Sequence, residues 1–123
     1  MKKASIIKWL AKPKQDDYAA AQIYLSLVLD AKVASRYAKK LAKAAAASFK
    51  AKDIFRASDL SLLGSGNFHV EKDRQKIAAG KALSPLLLIR DEMNRKVIIA
   101  DGYHRLCAVY SYDEDALIPC RIV

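Results

Sequence analysis

A chain of 123 residues, 53% apolar with three prolines and four glycines, is long enough for one folded domain and too rich in core formers to be disordered. Two cysteines do not make a disulfide framework, and no apolar run approaches the length that spans a bilayer. The +9 net charge falls entirely within residues 1–56, which hold 13 basic against 4 acidic side chains and so suit an acidic partner such as nucleic acid.

Residues 1–15 read as a basic arm carrying Lys2, Lys3, Lys8, Lys12 and Lys14, with a short amphipathic turn around Ile6, Ile7, Trp9 and Leu10. The segment has no long apolar centre and no small-residue cleavage site, so a cytoplasmic protein is expected. From Asp17 to Leu29 the apolar positions Ala20, Ile23, Tyr24, Leu27 and Val28 recur at helical spacing and predict a helix buried along that stripe. Asp30 is placed to cap a second helix running to about Ala47, with Val33, Tyr37, Leu41 and Ala44 inward. On the same helix Lys32, Arg36, Lys39, Lys40 and Lys43 form a stripe without acidic residues. A solvated face explains such a stripe most simply; a nucleic-acid contact is its functional reading.

The texture then changes. "SFKAKDIFRASDL" predicts a short strand and a helical turn, and "LLGSGN" a loop. "FHVEKDRQKIAAG" predicts a helix capped by Asn67 and ended at Gly80. Ser84-Pro85 stops any helix before the strand "PLLLIR"; "DEMNR" turns into the strand "KVIIA"; a helix to about Tyr112 and the strand "ALIPCRIV" complete the chain. The fold class is α+β, a small mixed sheet with packed helices, in which two strands pair as a hairpin and the last returns after a helical crossover.

The chemistry concentrates in "VIIADGYHR". A helix N-terminus offers unpaired N–H groups at the positive end of its dipole, and Gly102 lets an anion approach the backbone. Arg105 adds a fork and His104 a further donor, while Asp101 stands at the expected N-cap. Neither common nucleotide fingerprint occurs, since "GSGNFH" lacks the third glycine of a dinucleotide loop and no GxxxxGK is present. His69, His104, Cys107 and Cys120 are zinc-ligand types without paired spacing, so no structural metal is expected; both cysteines read as core residues.

Taken together, "LSPLLLIRDEMNRKVIIADGYHRLCAVY…IPCRIV" resembles the core of the ParB/sulfiredoxin superfamily over roughly residues 53–123, which leaves residues 1–52 as a basic helical N-terminal extension. Sulfiredoxins carry Gly-Cys-His-Arg at the turn. Tyr103 replaces that cysteine here, so sulfinic-acid reduction is not implied. ParB proteins carry Gly-Glu-Arg-Arg and bind CTP. Free-serine kinases carry Asp-Gly-His-His-Arg, to which "ADGYHR" is nearest.

The resemblance implies a phosphate cradle of Gly102, Tyr103, His104 and Arg105, further contacts from Ser84 and Lys72, and catalytic roles for Asp101 and His104. It also implies an acidic base from an earlier segment, with Asp53, Asp59 and Glu71 all open. The expected ligand is ATP, ADP or CTP, or a phosphorylated small molecule, with Mg²⁺ arriving only on a nucleotide. Three function classes follow: a small phosphotransferase, a nucleic-acid-binding module using the basic helix, and a non-catalytic interaction protein with an exposed apolar patch.

Overall fold

The computed structural model describes residues 6–64 and 66–123. Lys2 and Lys3 of the expected basic arm lie outside them. Residues 6–10 are extended and form no amphipathic turn; Trp9 bridges Leu83 in parallel, and Leu10 N–H donates to the Leu83 carbonyl at 2.8 Å.

Helices α1 (Gln15–Val28) and α2 (Ala31–Lys43) follow, the second capped by Asp30, which accepts from Lys32 N–H at 2.8 Å. Strand β1 (Ala46–Lys50) leads directly into α3 (Ala51–Ser58). Helix α4 (Phe68–Ala78) precedes the hairpin of β2 (Leu86–Asp91) and β3 (Lys96–Asp101). Helix α5 (Tyr103–Tyr112) then crosses to β4 (Leu117–Ile122). The sheet order is β1-β4-β2-β3, with β2 and β4 parallel and the other pairs antiparallel. The fold is α+β with a mixed sheet, and β1, from the N-terminal 52 residues, is one of its edges. No helix among the described residues is long and apolar enough to cross a membrane.

Both faces of β2 are covered, which is why "PLLLI" is a continuous apolar run with no alternation. Leu87 and Ile89, with Ala100 of β3, face Ala21, Leu25, Ala34 and Leu41 of the N-terminal helix pair. Leu86 and Leu88, with Ile99, Ile118 and Cys120, face the other helices in a cluster that includes Ile54, Val70, Ile77, Leu106 and Val109. Cys107 and Cys120 are buried free thiols, and burial pushes Cys120 up to about 11, so it stays protonated at neutral pH.

Three local expectations are overturned. α2 ends at Lys43, and the alanine run to Ala47 turns into β1. Alanine's helix preference is worth only tenths of a kcal/mol per residue over most alternatives. Pairing with β4 in the register Ala46↔Arg121 outweighs it, and Arg121 Nη1 donates to the Ala44 carbonyl at 3.1 Å beyond the helix end.

The inward face of α2 is Ala34, Ala38 and Leu41, with Val33, Tyr37 and Ala44 only half-buried. On α1 the error is larger. Ala21 and Leu25 are buried, whereas Ile23 is 69% and Leu27 81% exposed, and Ala20, Tyr24 and Val28 are exposed too. The stretch "YAAAQIYLSLVL" is apolar on several faces, so periodicity could not choose one. Ala21 and Leu25 pack in one cluster with Leu87, Ile89 and Ala100 of the sheet, and that contact sets the orientation of α1.

Candidate phosphate site at the tip of α5

Strand β3 ends at Asp101, and the chain reverses through Gly102 at φ +113° and ψ 13°, a conformation that favours glycine. The space is as restrictive as the torsion. A Cβ on Gly102 would lie 2.7 Å from Leu86 Cγ and 3.0 Å from Arg105 Nη2. Gly102 itself is the N-cap and among the described residues no side chain caps the helix, so the first N–H groups of α5 keep their donor capacity.

Asp101 therefore does not play the expected capping role. Its carboxylate accepts from Arg105 Nη2 at 2.9 Å, one helical turn on. The same Nη2 lies 3.6 Å from Asp17 of α1 and 3.5 Å from the Pro85 carbonyl. Arg105 is thus a junction between α1, the start of β2 and the α5 tip, and not an open fork. Burial raises the Asp101 carboxyl above its ordinary value, a shift that Arg105 opposes and Asp17 reinforces.

Ser84 is drawn into the same junction. Its hydroxyl donates to Asp17 and accepts from Lys14 N–H at 3.1 Å, and it is buried. These bonds stitch α1 to the segment before β2 and keep Ser84 away from the cavity described next.

Helix α4 supplies the opposite wall. The Asn67 side chain accepts from His69 N–H at 2.9 Å and Val70 N–H at 3.1 Å, which fixes where the helix starts. Val70 and Ile77 turn into the core. His69, Lys72, Asp73 and Lys76 (spaced i, i+3, i+4, i+7) then face the α5 tip across a polar cavity of about 220 Å³. Asp101, Gly102, Tyr103, His104 and Arg105 complete its lining. The rings of His69 and His104 are 4.9 Å apart. Burial, and then the neighbouring His69, hold His104 below its ordinary value, with Asp73 opposing and Arg105 adding to the shift, so the ring is neutral at pH 7. Tyr103 lies on the wall, but its hydroxyl donates to the Ser61 carbonyl and pins the 60–64 loop.

No family model matches this chain, and no curated protein or solved structure matches it. The site is read from its own chemistry.

Of the residues singled out in the sequence, Asp101, Gly102, Tyr103, His104, Arg105 and Lys72 line one cavity. None of Asp53, Asp59 and Glu71 lines it; the acidic residue that α4 contributes is Asp73. Arg74 turns away to donate to Ser111 Oγ at 2.7 Å. Lys76 and Asp73 were legible only as the continuation of the His69–Lys72 face, a helical spacing that pointed to nothing until α5 was known to lie opposite.

The five cations of α2, Lys32, Arg36, Lys39, Lys40 and Lys43, are all exposed. They form no ion pair among the described residues, and Lys40 Nζ sits 5.4 Å from the centre of the Tyr37 ring.

Proposed function

We propose that the protein is a cytoplasmic ParB/sulfiredoxin-like domain that binds a nucleotide, ATP, ADP or CTP, or a phosphorylated small molecule at the tip of α5, as a small phosphotransferase. The supporting observation is the convergence of Lys72, Lys76 and two imidazoles on an uncapped helix N-terminus whose leading residue leaves no room for a side chain. Phosphate oxygens fit that set: backbone N–H groups and the dipole favour the anion, and two lysines neutralise it. Arg105 positions the turn through Asp101. A neutral His104 is suited to accept a proton from an attacking hydroxyl. Mg²⁺ carried by a nucleotide would meet carboxylate oxygen at Asp73, which its own lysine partner holds only loosely, at 3.9 Å.

Thermal unfolding with ATP, ADP or CTP, each with and without Mg²⁺, tests the reading. A ligand at about 100 times its Kd adds about 2.7 kcal/mol and raises Tm by several degrees. The double variant Lys72→Ala/Lys76→Ala, at half-exposed or exposed positions, should keep its own Tm and lose the shift. The shift should grow as pH falls through the depressed His104 range, because a protonated imidazole adds a cation beside the phosphate. No shift with any nucleotide, or an undiminished shift in the double variant, would overturn the assignment.

The α2 stripe favours a second reading, a nucleic-acid-binding module. Binding of a labelled duplex should weaken with salt at a log–log slope of up to about 4.5, from ~0.9 per neutralised phosphate over the five cations. Salt-independent binding, or binding unchanged in Arg36→Ala/Lys40→Ala, would reject it. The open face of α1 around Ile23 and Leu27 is the feature that favours a non-catalytic interaction protein.

A further inference from the structure

A second cavity, of about 280 Å³, lies between α3 and the sheet and shares no residue with the site at the α5 tip. Its floor is Phe49, Leu88, Val97 and Ile122, one residue from each strand, and its wall is Ile54 and Ala57 of α3. The cavity exists for identifiable reasons. α3 has eight residues and ends at Ser58, and Ala57 contributes only a methyl group where a longer side chain would fill the gap. Phe49 is left 39% exposed at the opening.

Two charged residues complete the lining, Asp53 and Arg90. Asp53 is half exposed and has Arg56 3.7 Å away on its own helix. Arg90 has no ion-pair partner among the described residues. Its place on the strand is telling. Leu86, Leu88 and Arg90 alternate onto the α3 side of β2, and the register sets Arg90 beside Val97. An otherwise apolar strand face thus ends in an unpaired guanidinium at the mouth of an apolar cavity. Water alone solvates such a guanidinium adequately; a guanidinium set beside an apolar cavity matches one kind of molecule.

We propose that this cavity binds a small monocarboxylate with an apolar tail or ring, the tail lying on Phe49, Leu88 and Ile122 and the carboxylate held by Arg90. Charge complementarity with Arg90 selects the anion over an alcohol or an amine of the same shape, while Asp53, which has Arg56 3.7 Å away, opposes the anion and favours the amine. The head-group comparison therefore has to include both.

The test is a titration of the full chain with octanoate, octanol and octylamine, followed by the amide resonances of residues 49, 57, 88 and 97. Octanoate should give saturable shifts confined to the cavity and bind at least tenfold more tightly than the other two. Arg90→Gln, an exposed position, should remove that tenfold preference, and Arg90→Lys should restore part of it. Ala57→Met should fill the cavity and abolish binding without lowering Tm. Equal affinity for all three head groups, tighter binding of octylamine, or octanoate binding unchanged in Ala57→Met would overturn the proposal.

Discussion

Gly102→Ala should destabilise the protein by about 3 kcal/mol, seen as a lower urea midpoint with an unchanged m-value. Two costs act together. A φ of +113° lies outside the region that residues with a Cβ adopt, and the added atom would overlap Leu86 Cγ at 2.7 Å. Leu86 is fully buried and cannot retreat without disturbing the core around Leu106. Gly80 provides the control. It also has positive φ, at +72°, but a Cβ there meets only Lys8 Nζ at 3.7 Å, the end of a flexible chain. Gly80→Ala should therefore cost about 1 kcal/mol, the torsional part alone. A loss below about 1 kcal/mol at Gly102 would mean that the β3–α5 turn relaxes freely, and the close anion approach argued for this turn would lose its basis.

Arg105→Ala should cost about 2–3 kcal/mol at neutral pH and appreciably less in acid. Asp101 and Asp17 are 17% and 15% exposed, and removal of Arg105 leaves both facing each other without a cation. The pH dependence follows from Asp101. Its carboxyl is raised in the folded state, by burial first, with Arg105 holding it back. A raised carboxyl means that the ionised form is the costly one, so this cost is absent below the unfolded value of 3.8 and develops as pH rises through the folded value. Without Arg105 that folded value climbs further and the cost at pH 7 grows. The stability deficit of the variant should consequently shrink on acidification, as Asp101 takes up its proton. Urea unfolding of both proteins from pH 4 to pH 8 measures this directly. A deficit that does not vary with pH would show that Arg105 contributes packing and not charge. Arg105→Lys should recover only part of the loss, because one ammonium cannot reproduce the contacts of the guanidinium to Asp101, Asp17 and the Pro85 carbonyl.

These two variants bear differently on function. Gly102→Ala alters the backbone that would meet a phosphate, whereas Arg105→Ala loosens the support behind it. The lysines of α4 stand apart from both, since they can be removed without touching the β3–α5 turn. This separation makes Lys72→Ala/Lys76→Ala the cleaner probe of binding, and the two larger effects probes of how the turn is built.

Much of the candidate site could be read locally. The β-branched run of β3, the Asp-Gly stop and the helical restart are contiguous, so Asp101 to Arg105 needed no tertiary information to be grouped. Asn67 announced α4 in the same way, because an N-cap acts on the backbone two and three residues away. Roles were less legible than positions. An aspartate before a helix can cap it or pair with an arginine one turn on, and nothing within the motif says which. Burial of the Asp101–Arg105 pair beside Asp17 settled that choice.

By itself the sequence determined the strong local signals among the described residues: four strands, four of the five helices to within a few residues at most ends, the hairpin and the crossover; α3 was legible only as a short helical turn. It did so because caps, turns and β-branched runs act over a few residues. The tertiary structure alone decided the sheet order, the loss of Ala44–Ala47 from α2 with Ala46 and Ala47 pairing with β4 instead, and the turning of Ile23 and Leu27 to the outside. It also brought Asp17 to Arg105, and the α4 lysines to the tip of α5. Each of these depends on which partner lies across a gap that many residues of chain separate. A helix apolar on several faces, or a lysine on an amphipathic one, acquires its role only when a neighbouring element closes over it.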